Sequence, residues 1–313
     1  MADSKAGSPT DSPDTTKAGG DPGAVLALDD DARDELVRTK VTCPFLGSAV
    51  LQKLLAVRGD AGNPLASIED VRQLGNSGGG DLGRVLVLFA TGNHAFMRSD
   101  TGRLDRKVPN GLFSLELPGS QGSHPGHSGI LQGDPGALGS GRLSEADFAR
   151  LAGRATDGFI KRSDVGRFIA ENLRKDPRSK VLDANVLALL ALDAGAVATS
   201  AVTAALATLF GAKDAGTADS RAFEESFTKL TGEDNLVGSA GEFGLLFAYL
   251  GRKPDAREID GEPALSLADV KSMFLDKRLP AGWDSWKKLA ADWVGHTTGL
   301  LLSAAKELLA HKQ

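Results

Sequence analysis

Apolar positions recur at helical spacing along most of the chain. "FLGSAVLQKLLAV", from Phe45 to Val57, places them three and four residues apart, as one face of a helix requires. "SIEDVRQL" follows, with Ser67 three residues ahead of Asp70, a variant of the capping-box signal. "DLGRVLVLFATGNHAF" predicts a third helix over 81–96. The pattern returns in "LSEADFARLAG", "RSDVGRFIAENLRKD", the apolar run 182–211, "SRAFEESFTKL", "AGEFGLLFAYLG" and "SLADVKSMFLDKRL". The last segment, "DSWKKLAADWVGHTTGLLLSAAKELLAHKQ", reads as an amphipathic helix with a break expected near Gly295 or Gly299. Eight to ten helices and no sustained alternation of apolar and polar residues predict an all-α fold.

Two stretches depart from this pattern. Residues 1–38 combine a Gly/Pro/Ser/Thr/Asp tail, to about Gly23, with the acidic "LDDDARDELVR". The tail has too little apolar surface to offset its ordering entropy and is expected to be disordered. Residues 98–142 are rich in Gly, Pro and Ser, and a loop of that length inside a domain is usually functional or mobile. The expected organisation is a tail (1–38), a helical domain (39–285) and a C-terminal helix (286–313) that either packs back or forms a dimer contact.

Charge and composition narrow the partners. With 36 Lys+Arg against 41 Asp+Glu the formal charge is −5, and there is no dense basic stripe, which argues against nucleic acid. The single cysteine forms no internal disulfide, and the first residues lack the apolar core of a secretory signal, so a cytoplasmic location is expected. Ala194–Ala212 is uncharged over about the length of a span, but its Ala, Thr, Gly and Ser content favours a buried helix. The sequence holds no Cys/His zinc cluster, Walker loop or Gly-x-Ser-x-Gly, and the glycine-rich "GNSGGGDLG" follows no strand.

Two residues carry candidate chemistry. Cys43 precedes Pro44; if it caps a helix whose first position is the proline, its sulfur lies at the positive end of the helix dipole, which favours the thiolate. Glu242 is the only charged residue between Leu236 and Leu250 and shares a helix face with Leu245, Leu246 and Tyr249. A carboxyl on such a face loses hydration, and its pKa should rise towards the range of proton transfer. The bland readings are a buried inert thiol and a rim glutamate paired with a nearby cation.

Four segments, in order, resemble the haem-thiolate peroxidases, the family of chloroperoxidase and the unspecific peroxygenases. They are "TCPFLGSAVLQKLLAVRGD" with the helix after it, the triplet Gln132-Gly133-Asp134 before "RLSEADF", "GSAGEFGLLFAYLG", and "LADVKSMFLDKRLPAGW". The closing signature, here Lys277-Arg278-Leu279-Pro280 and Gly282-Trp283, is the most specific. The resemblance implies haem b held by Cys43, with Pro44, Leu131, Gln132, Asp134 and Leu245 around it, and Glu242 as the acid that handles the protons of hydrogen peroxide. It implies oxidation or oxygenation of a small organic molecule, or of a halide, in a pocket that includes Leu131, Phe243 and Leu245. Departures from the family pattern are Thr42 for the first proline, and Gln132 and Gly136 where a Mg2+ or Ca2+ site would have ligands. Gly133 and Asn235 stand where a helper of the acid is expected, leaving His124 or His127 as substitutes.

Two other classes remain open at this level. "GRLSEADFARL" and "DGFIKRSDVGRFI" resemble second halves of EF-hands, but the early positions, Gly136, Leu138 and Ser140, then Gly153, Ala155 and Asp157, hold one carboxylate between them. A non-catalytic helical scaffold is the third reading.

Overall fold

A computed structural model describes residues 22–116 except Thr42, 145–175 and 236–311. The apolar run Ala194–Ala212 and the loop residues Leu131, Gln132 and Asp134 lie outside them, as do His124, His127 and the first 21 residues.

Helices dominate, but the all-α expectation is corrected. Among the described residues nine α-helices are accompanied by three small sheets. The helices are α1 (Asp30–Lys40), α2 (Pro44–Leu51), α3 (Ile68–Gly75), α4 (Gly83–Asn93), α5 (Glu145–Ala152), α6 (Arg162–Lys175), α7 (Leu236–Leu250), α8 (Leu267–Phe274) and α9 (Ala290–Ala310). The strands are β1 (Arg58–Gly59), β2 (Pro64–Ser67), β3 (Phe96–Arg98), β4 (Leu104–Lys107), β5 (Leu112–Ser114), β6 (Phe159–Lys161), β7 (Arg257–Ile259) and β8 (Glu262–Ser266). At two to five residues each they are too short for a period of two to show in sequence.

Two of the sheets grow from the same local device. The hairpin β1–β2 runs into α3, and the hairpin β7–β8 runs into α8. In each, a serine ends the strand and caps the helix: Ser67 Oγ accepts from the Asp70 amide and Ser266 Oγ from the Asp269 amide, both at 3.3 Å. The hairpins then recruit different third strands. β2 pairs antiparallel with β5, and β8 pairs antiparallel with β6, with Ile160 opposite Leu265. β3 and β4 form the remaining two-stranded sheet.

The acidic stretch near the N-terminus is helix α1. Asp29 caps it, and its buried Leu36 and Val37 face the core. Helix α2 stops at Leu51 rather than continuing to Val57, because Lys53 takes a left-handed conformation (φ 61°) and the chain turns into β1. At the other end, α9 runs unbroken through Gly295 and Gly299 and packs back on the domain, burying Trp293, Leu300, Leu301, Ala304 and Leu308. The close approach of α7 and α9 needs Gly244: a β-carbon there would sit 2.1 Å from Thr297 Oγ1. No described helix is long and apolar enough to cross a membrane.

Candidate functional site

Cys43 is the N-cap residue of α2, in extended conformation (φ −67°, ψ 121°), and Pro44 occupies the first turn. The proline's missing N–H costs nothing there, and its fixed φ suits the helix. The Cys43 carbonyl accepts the first helical bond, from the Gly47 amide at 2.9 Å. Ser48 Oγ returns to the Pro44 carbonyl at 2.7 Å and holds this turn. Cys43 is a partly buried residue and lines a cavity.

Glu242 reaches the same cavity from the middle of α7. Two indoles anchor this helix: Trp293 Nε1 donates to the Gly241 carbonyl at 2.9 Å, and Trp286 Nε1 donates to the Tyr249 carbonyl at 2.6 Å. The helical spacing read from sequence is realised, because Leu245, Leu246 and Tyr249 line the cavity beside Glu242. Phe243 points elsewhere and is fully buried in the core.

The cavity has a volume of about 60 Å3 and is partly open to solvent. Phe45, Val71, Leu86, Phe89, Met273 and Phe274 make its walls mainly apolar. Both hairpin–helix units contribute, α3 through Val71 and α8 through Met273 and Phe274.

Burial governs the electrostatics. It raises the Glu242 carboxyl to about 8, so this group is largely protonated at neutral pH. It also raises the Cys43 thiol, to about 11; the amides of Leu46 and Phe45 and the nearby Lys277 pull it down, and Glu242 pushes it up. The helix dipole that the sequence places behind the sulfur is therefore outweighed by lost hydration. The Lys277 ammonium, itself buried, is lowered to about 8 by the same effect. Lys277 Nζ and Tyr249 Oη have no hydrogen-bond partner among the described residues. Tyr249 stacks on Phe45 with ring centroids 4.6 Å apart.

Sequence reasoning missed His94. It follows the last turn of α4, is 4% exposed, and lines the cavity with Cys43 and Glu242. Its backbone and ring are clamped to one residue of β5: the Ser114 amide donates to the His94 carbonyl at 2.8 Å, and His94 Nδ1 lies 2.7 Å from the Ser114 carbonyl oxygen. The only sequence signal was a histidine ending an apolar helical run; its partner lies 20 positions further on.

Of the expected site residues, Cys43, Pro44, Glu242 and Leu245 therefore meet at one cavity. Leu131, Gln132 and Asp134, with the cation site expected of them, fall outside the described residues. Most of the first EF-hand-like loop lies outside the described residues, and the second is described through Asp164. Asp164, the terminal ligand of the second loop, forms an ion pair with Arg167, and no cluster of three or more His, Cys, Asp or Glu suited to a metal ion occurs among the described residues.

No protein-family model, curated protein or solved structure matches the chain.

Proposed function

We propose that the protein is a peroxide-dependent oxidoreductase of the haem-thiolate kind, acting on a small organic molecule. One observation carries the reading: the only cysteine, at a helix N-terminus behind a Cys-Pro step, and the only charged residue of α7 open on one largely apolar cavity. The chemistry of this donor set fits a porphyrin iron, since Cys43 would supply the sulfur that holds the metal, and a helix start favours the anionic sulfur once metal replaces its proton. Volume sets a limit on the fit. About 60 Å3 is well below the several hundred Å3 of common ligand pockets, so a porphyrin cannot lie wholly within the space these residues enclose.

When bound, haem would supply the iron chemistry that activates peroxide. The rest is the work of this chain. Glu242, with a pKa of about 8, is poised near neutrality to accept a proton at its carboxylate and to return it from the carboxylic acid. Phe89 and Leu245 present apolar surface to the cavity beside that carboxyl. Pro44 and Ser48 hold the turn that fixes Cys43. A cytoplasmic location goes with this reading, because the lone thiol must stay free of disulfide exchange.

Expression with a supply of haem, followed by the spectrum of the reduced carbon monoxide complex, tests the proposal. The red-shifted Soret band of thiolate ligation, lost in Cys43→Ala, is the expected result. Protein that binds no porphyrin, or ligates it through nitrogen, overturns it.

A further inference from the structure

His94 presents a fixed hydrogen-bond acceptor to a cavity whose walls are mainly apolar and which it shares with Cys43, Glu242 and Tyr249. The Ser114 carbonyl has only lone pairs to offer, so the ring nitrogen 2.7 Å from it, Nδ1, must carry the proton. In the neutral ring Nε2 then holds a lone pair. Nε2 has no partner among the described residues, yet it is not sealed in protein, and the ring lines the cavity. The ring is held in place by its Nδ1 bond to the Ser114 carbonyl and by the edge-on contact with Phe113 (5.9 Å). Burial also lowers the His94 pKa to about 4, which keeps the ring neutral through the physiological range.

From this arrangement we infer that the cavity selects small apolar molecules that carry one hydroxyl or N–H donor, bound by donation to His94 Nε2. Phe89, Leu86 and Phe274 receive the apolar remainder. The space is small: at roughly 10–15 Å3 per water of such volume, about 60 Å3 corresponds to a handful of waters, so a single ring at the partly open mouth is near the upper limit. A ligand of the same shape without the donor would leave the buried nitrogen unsatisfied, and that asymmetry creates the discrimination. The inference rests on reading this cavity as the reaction site, but its test is run on the full chain without porphyrin, so the two ideas fail separately.

Phenol and toluene, which match in shape and differ by the donor, are the probes. Their affinities are measured by calorimetry for the natural chain and for His94→Phe. The preference for phenol over toluene should fall about tenfold in the variant, the loss expected for one neutral hydrogen bond in a buried site. The second readout needs no variant. Nitrogen NMR of the five histidine rings should show one Nε2 resonance shifting on addition of phenol and none on addition of toluene. An unchanged preference in His94→Phe, an unmoved Nε2 resonance at saturating phenol, or failure of both probes to bind overturns the inference.

Discussion

The wall of the cavity that bears Cys43 is a helix end, whereas the wall that bears Glu242 is a helix interior. At the first, polar groups converge on the sulfur: the amides of Phe45 and Leu46 and the buried Lys277 all favour its charged form. At the second, lost hydration raises the carboxyl. Both groups are nevertheless raised, because lost hydration outweighs the local helpers even at the helix end. The contrast teaches that a helix N-terminus prepares a thiol for a cation without ionising it, while a carboxyl within an apolar helix is left to hold its proton.

The largest test of this contrast is Glu242→Gln. The native carboxyl keeps its proton up to about pH 8, whereas the unfolded chain releases it near 4.5. The folded state thus binds more protons across that window, and stability should fall as pH rises from 4.5 to 8 and level off above. The glutamine variant should lose that slope and gain on the order of 4 kcal/mol at pH 9, read by urea denaturation over pH. A natural chain with no decline between those limits would show that the carboxyl is not desolvated.

Rigidity gives the next test. The Glu242 wall is fixed by the close approach of α7 and α9, where a β-carbon at Gly244 would lie 2.1 Å from Thr297 Oγ1 and 3.2 Å from its Cα. At the Cys43 wall a β-carbon at Gly47 would lie 3.1 Å from Val37 Cγ1, a far looser approach. Gly244→Ala should cost about 3 kcal/mol. Lys277→Met comes third. Burial lowers its folded pKa to about 8, so the unfolded chain binds the proton more readily between 8 and 10.5, and the penalty is complete below 8. Removing the ammonium should therefore stabilise the protein by about 3 kcal/mol at pH 7, with the gain fading above pH 8. Gly47→Ala should be the mildest change, below about 1 kcal/mol. Thermal melts at fixed pH rank the three, and a Gly47 variant as damaged as the Gly244 one would erase the distinction between the walls.

How much of this could be read beforehand follows from the range of each interaction. Glu242 stood out because a lone charge on an apolar helix is a local anomaly, and its neighbours at three, four and seven positions on are set by helix geometry alone. Cys43 was legible through the proline after it. The strands were not, since at two to five residues they do not alternate for long enough to announce them, and β2 and β8 each take a third strand from far along the chain. His94 escaped for the same reason: what makes it a site residue is a carbonyl on β5 and a cavity assembled from α2, α3, α4, α7 and α8.

The pairing of β6 with β8 bears on how the molecule is made. Ile160, fully buried, faces Leu265 across that ladder, and the two are separated by more than a hundred positions of chain. During synthesis the earlier strand leaves the ribosome long before its mate exists, with an apolar residue and an open ladder edge both uncovered. The ordering of this sheet must wait until β8 has been made, so its closure is expected to be a slow step of maturation and the interval before it a time of exposure to aggregation.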